Sequence, residues 1–254
     1  MANKKKIEER LEAERKARQA RYIQIGGVGI LLILIVLAFW AFGPKQQSQS
    51  QVPTESSTQV VSAVPTFDGN VGNPTACDNF ADIQTAAQYN SAPPMKMDKT
   101  KQYFATVKMA KGGEFVMELY QDKAPITVNS FVFLACKGFF NGVTFHRVID
   151  GFMAQGGDPT GTGASGPGYQ FVNEQNDLSF DKAGVVAMAN SGPDTNGSQF
   201  FITFGPYGLS ESQYTIFGQV VKGMDVVNAI TRRDPQTNPT FTGDAMESVT
   251  ITVK

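Results

Sequence analysis

The chain has 254 residues, enough for one or two domains, and its 41% hydrophobic share with 25 glycines is that of a globular protein. It has no collagen period, and two cysteines are too few to frame a disulfide-dense miniprotein. With 22 basic against 23 acidic residues the chain carries no overall polycation, which excludes nucleic acid as its partner.

The even balance conceals a partition. Residues 1–21 hold eight basic side chains (Lys4, Lys5, Lys6, Arg10, Arg15, Lys16, Arg18, Arg21) and four glutamates (Glu8, Glu9, Glu12, Glu14). Glutamates spaced three and four residues from the basic ones describe a solvated helix resting against anionic headgroups, not a nucleic-acid arm. Residues 22–44 carry no charge. From Tyr22 to Phe42 a helix would reach about 31 Å, the thickness of a bilayer's hydrocarbon core. A buried core helix would show a polar face, and only Gln24 is polar here. A signal peptide would end on small residues, whereas Phe39, Trp40 and Phe42 crowd the exit and supply an aromatic belt. Residues 22–42 are therefore expected to form a single transmembrane helix, with cleavage near Phe42 and secretion as the alternative. The basic residues precede the span, so 1–21 should stay cytoplasmic and everything after Pro44 should lie outside.

Residues 43–66, rich in Gln, Ser, Thr and Pro, have too little apolar mass to offset ordering and read as a flexible linker. Residues 67–99 hold Phe67, Cys77, Phe80, Tyr89 and Pro93-Pro94, and read as a partly ordered arm over the following domain. From residue 100 to 254 the pattern becomes short strands. Tyr103, Ala105, Val107 and Met109 alternate with polar neighbours, as do Phe115, Met117 and Leu119, with Gly112-Gly113 between them, the signature of a hairpin. Pro125 opens a helix presenting Val128, Phe131, Val132 and Ala135 on one face. Strands follow at 145–149, 185–189, 200–204 and 216–220, then a short helix at 224–232 and a last strand through Val249, Ile251 and Val253. Two helices among about eight strands with glycine-rich turns predict a mainly β domain, a closed eight-stranded antiparallel barrel capped by two α-helices.

Several chemistries can be set aside. Gly161-Thr-Gly163-Ala-Ser-Gly166 matches the dinucleotide fingerprint, but Pro167-Gly168 follows where a helix should begin, so the segment reads as a flexible loop. His146 is the only histidine, which rules out a multi-histidine metal cage, and no nucleophile elbow occurs. His146 itself reads as a hydrogen-bonded strand residue. Asn196-Gly197-Ser198 fits a glycosylation sequon but is first a tight-turn signal.

What remains are two blocks, Phe145-His-Arg-Val-Ile-Asp-Gly-Phe-Met-Ala-Gln-Gly-Gly-Asp158 and Met188-Ala-Asn-Ser-Gly-Pro-Asp-Thr-Asn-Gly-Ser-Gln-Phe-Phe-Ile202. Together they resemble the signature blocks of the cyclophilins, peptidyl-prolyl cis–trans isomerases on an eight-stranded barrel. The resemblance spans about residues 100–254 and, with the anchor, points to a bacterial, membrane-anchored member. It implies Arg147 as the catalytic residue and Phe152, Met153 and Phe201 as the proline pocket, with Gln155 beside it. It implies Ala189 and Asn190 as holders of the substrate backbone and Gln199 as a groove residue. Leu209 and Tyr214 would complete the wall. Many members have histidine where Tyr214 stands, and bacterial relatives often have tyrosine. Tight cyclosporin binders carry a tryptophan in this segment, and Leu209 is the nearest residue here, so cyclosporin binding should be weakened.

Physical chemistry supports the same assignment. Rotation about an X–Pro amide crosses a barrier of about 18–20 kcal/mol without breaking a bond, so no nucleophile, metal or cofactor is required. As the amide twists, its nitrogen becomes pyramidal and can accept a hydrogen bond that the planar ground state accepts poorly. A fixed guanidinium would then stabilise the transition state selectively. The substrates would be proline-containing polypeptides on the outer side of the membrane. A non-catalytic proline-peptide binding module using the same groove is the alternative. Cys77 and Cys136 lie on the predicted outer side, where they either form a disulfide pinning the arm to the first helix or remain two buried thiols.

Overall fold

A computed structural model describes residues 74–237 and 239–254. The basic segment, apolar span and linker predicted for 1–66 lie outside these residues, as does the start of the arm. Among the described residues no helix is long and apolar enough to cross a membrane.

Eight strands form one antiparallel sheet: β1 (Tyr103–Met109), β2 (Glu114–Leu119), β3 (Arg147–Ile149), β4 (Met153–Gly156), β5 (Val185–Met188), β6 (Phe200–Thr203), β7 (Ile216–Lys222) and β8 (Met246–Val253). Their order is β3-β4-β6-β5-β7-β2-β1-β8. The β1–β2 hairpin pairs Val107 with Phe115 and Lys108 with Glu114. Its turn places Gly112 and Gly113 at φ 98° and 85°, a left-handed succession that other residues adopt only with strain. Strand β4 was not expected, because Met153-Ala-Gln-Gly156 is too short and too small-residued to alternate.

The predicted closed barrel is corrected to an open ladder, because β3 and β8 do not pair along their length. The edge of three-residue β3 is occupied instead, with Val148 exchanging both backbone hydrogen bonds with Arg233 at 2.7 and 2.9 Å. The two ends meet instead through the segment just ahead of β3 and the start of β8. There Thr144 bridges Ala245, and Phe145 N donates to Asp244 O at 2.9 Å.

Helix α1 (Pro125–Cys136) starts at its proline as expected, but it is not amphipathic: every residue from Thr127 to Ala135 is buried. Its inward side delivers Phe131 against Phe140, Phe200 and Phe217 of the main core. Its other side is covered by the arm, whose described part opens on an unpredicted 3₁₀ helix (Pro74–Phe80). Phe80 and Tyr89 both pack on Phe133, at ring separations of 5.4 and 4.8 Å. Buried Asn129 accepts from Lys96 N at 3.0 Å and donates to Pro94 O at 3.1 Å. Cys77 and Cys136 are joined by a disulfide. Helix α2 (Met224–Asn228) is shorter than expected, and a second 3₁₀ turn follows at Pro235–Thr237.

Adjacent residues of β6 divide the apolar mass in two, because side chains alternate across a strand. Phe200 enters the main core, while Phe201 joins a smaller cluster with Met153, Phe180, Val185, Ala187 and Ile216 on the other face.

Candidate active site

The second face is where the chemistry-bearing residues converge. Strands β3, β4 and β6 lie side by side with Arg147 opposite Gln155 and Gln155 opposite Phe201, so the three side chains share one row. Met153 pairs with Ile149 at the next position. Phe152 sits in the turn before β4, held by a 2.9 Å bond from Phe204 N to its carbonyl. Ala189 and Asn190 follow the end of β5, and Leu209 and Tyr214 come from the loop between β6 and β7.

These residues line one cavity of about 180 Å³. Its floor is apolar and its aromatic walls are mutually braced. Phe180 stacks on Phe201 at 5.8 Å, Tyr214 meets Phe201 edge-on at 5.5 Å, and Tyr207 stacks on Phe152 at 4.2 Å.

Half-buried Arg147 stands at the rim, its guanidinium carbon 5.7 Å from the Phe152 ring centroid. Its Nη1 reaches Gln155 Oε1 at 3.4 Å and Met153 Sδ at 3.9 Å, both long contacts. Among the described residues no carboxylate pairs with it. Its charge is therefore uncompensated beside an apolar slot. Gln155 is in turn positioned: its Nε2 donates to Gln199 Oε1 at 3.0 Å, and Gln199 Nε2 donates to Gly163 O and Ser165 O at 3.0 and 2.9 Å.

A single buried carboxylate organises the loop that anchors this relay. Asp158 accepts from Thr160 N at 2.7 Å, Gly163 N at 2.6 Å and Ser165 N at 3.2 Å, among others. Burial alone would raise its pKa, but these donors outweigh burial and bring it down to about 2. The segment read as a flexible loop is thus closely tied. Past Gln155, Ala189 and Asn190 the slot opens into a second pocket of about 540 Å³ that Gln199 also lines.

The model of the family described as cyclophilin type peptidyl-prolyl cis-trans isomerase/CLD matches residues 104–252, more than half of the chain. The chain belongs to the cyclophilin family. A Homo sapiens protein named peptidyl-prolyl cis-trans isomerase-like 1 is 52% identical over 122 residues, covering 46% of this cyclophilin and 74% of the human protein. Its namesake from Emericella nidulans is 50% identical over 119 residues, 45% and 74% of the two chains. The crystal structure of a Cryptosporidium parvum cyclophilin type isomerase superposes with a TM-score of 0.54 at 31% identity, covering 59% of this chain and 97% of the other. A second crystal structure of that protein, in the presence of the dipeptide Ala-Pro, gives 0.53 at 29% identity, covering 58% and 98%.

In this cyclophilin nine of the ten residues implied by the resemblance line the smaller cavity: Arg147, Phe152, Met153, Gln155, Ala189, Asn190, Phe201, Leu209 and Tyr214. Gln199 lies one step further along, bonded to Gln155. Sequence reasoning missed Phe180 and Tyr207, which brace the walls from loops without periodicity, and Gln88, which the arm brings to the second pocket. His146 departs from expectation. It is 2% exposed, and among the described residues neither ring nitrogen has a hydrogen-bond partner. Burial pushes its pKa down, favouring the neutral imidazole. Asn196 is fully buried and donates to Val172 O and Asn173 Oδ1, so its amide serves the fold and this structure has no room for a glycan on it.

Proposed function

We propose that this cyclophilin is a membrane-tethered isomerase that accelerates X–Pro rotation in polypeptides on the outer side of the membrane. The observation that carries the chemistry is the uncompensated Arg147 guanidinium at the rim of an apolar slot. Phe152, Met153 and Phe201 grip the pyrrolidine ring, and Leu209 and Tyr214 close its far side. Ala189 and Asn190 hold the chain beside the proline while the preceding carbonyl swings. Arg147 donates to the imide nitrogen as it becomes pyramidal, and Gln155 keeps the guanidinium aimed by accepting from Nη1 at 3.4 Å. The C. parvum relative crystallised in the presence of Ala-Pro supports a proline peptide as the occupant.

The tether rests on this chain's own residues: the uncharged stretch 22–44 behind eight basic side chains. The bacterial attribution rests on that anchor and on Tyr214, since the relatives named above are human, fungal and Cryptosporidium proteins. The test uses the full-length chain. Intact cells producing it are shaved with protease, and the membrane fraction is assayed for isomerisation of an Ala-Pro peptide. The proposal expects membrane-bound activity that external protease releases. Activity in the soluble cytosol overturns the tether, and membrane-bound activity that protease still does not reach once any outer envelope is opened overturns the outward orientation. A chain that binds the peptide without accelerating its rotation is a binding module.

A further inference from the structure

The second pocket is lined in part by a residue that the family match does not contain. Gln88 lies in the arm, ahead of matched residues 104–252, yet it lines the 540 Å³ pocket together with Gln199 and Asn190. Its placement is enforced. Tyr89 N donates to Pro167 O at 2.7 Å. The contact is so close that a Cβ on Gly168 would lie 2.5 Å from Tyr89 O and 3.1 Å from Gln88 Cβ; Gly168 itself has φ +94°. The same stretch of arm is fixed to α1 by the Tyr89–Phe133 contact and further back by the Cys77–Cys136 disulfide. Gln155 and Gln199 spend their amides on one another and on the 163–165 loop, whereas the Gln88 amide makes no hydrogen bond among the described residues. No charged residue lines the pocket.

We propose that Gln88 is a specificity-determining residue, delivered by the disulfide-pinned arm, that selects uncharged hydrogen-bonding side chains in the substrate residue two positions from the proline. This rests on the isomerase reading above. A bound polypeptide is extended, with side chains at i and i±2 on one side and about 3.3 Å of advance per residue. The slot and the pocket share Gln155, Ala189 and Asn190, so a proline in the slot sends the side chain two residues away into the pocket. A neutral amide there offers a donor and an acceptor, and it offers no counter-ion to a lysine or glutamate.

The experiment compares full-length wild type, Gln88→Glu and Gln88→Lys on peptides carrying Gln, Lys or Glu two residues before, and separately two residues after, the proline. The readout is the ratio of kcat/KM values between peptides, which cancels any difference in folded fraction. Wild type should prefer Gln over both charged peptides in one of the two sets. In that set Gln88→Glu should raise the Lys-to-Glu ratio, and Gln88→Lys should lower it, by about twofold to fivefold each, the effect of a solvent-accessible ion pair. Identical ratios in all three proteins, or a uniform loss on every peptide, overturn the inference while leaving the isomerase reading intact. A wild-type chain inactive on every peptide overturns both.

Discussion

Replacing Arg147 with alanine tests the chemistry most directly. In the free protein Nη1 makes only the 3.4 Å contact to Gln155 and the 3.9 Å contact to Met153 Sδ, with no ion pair, so removing the guanidinium takes little from the fold. What is lost is a charge-assisted hydrogen bond to the twisted imide, worth about 1.5–3 kcal/mol, or a drop of roughly 10- to 150-fold in kcat/KM. The planar ground state barely accepts this bond, so the loss should fall on kcat and leave KM nearly unchanged. Arg147→Lys should recover only part of the rate, because a compact ammonium cannot present the guanidinium's spaced donors. The assay is protease-coupled isomerisation of an Ala-Pro peptide by the full-length protein, with thermal melting to confirm that the variants are folded. An alanine variant as fast as wild type, or one whose deficit lies wholly in KM, would refute the assignment of Arg147 to the transition state.

Other perturbations follow from the same geometry. Breaking the disulfide with Cys136→Ala should cost about 4 kcal/mol in the chain-entropy model, given a separation of 59 residues between the cysteines, and urea denaturation of the variant reads the loss directly. For His146 the folded pKa is depressed, so below about pH 6.5 the unfolded chain takes up a proton that the folded chain resists, and stability falls as pH drops through that value. Melting temperatures between pH 7 and 5 should therefore decline in wild type and flatten in His146→Gln; equal slopes would contradict the burial argument. Cyclosporin should bind weakly, and Leu209→Trp should tighten it about twofold to tenfold by adding aromatic contact, measurable by inhibition of isomerisation.

The site was more legible in the chain than its scaffold was. Phe145–Asp158 and Met188–Ile202 concentrate nearly all of the groove, and a strand pair followed by a third strand is enough to bring Arg147, Gln155 and Phe201 into one row. The barrel's closure was misread because nothing local announces that Arg233 takes the edge of β3. Helix α1 misled for the opposite reason. Its periodic residues were found, but Phe133 and Asn129 on the other side are buried by a segment some forty residues earlier, and periodicity within a helix cannot report a distant cover. Gln88, Phe180 and Tyr207 reach the site from irregular segments, where position depends on tertiary contacts and not on pattern. The Gly161–Gly166 loop looked slack because a grip by one carboxylate, Asp158, leaves no compositional trace.

The cover over α1 also bears on where this enzyme can be cut. A shortened polypeptide starting near residue 104, at the edge of the shared family region, would keep every side chain of the proline slot but would lose Gln88, leave Phe133 bald to water and leave Cys136 as a lone thiol. Such a fragment would turn over substrate only as long as it escaped clumping through that greasy stripe.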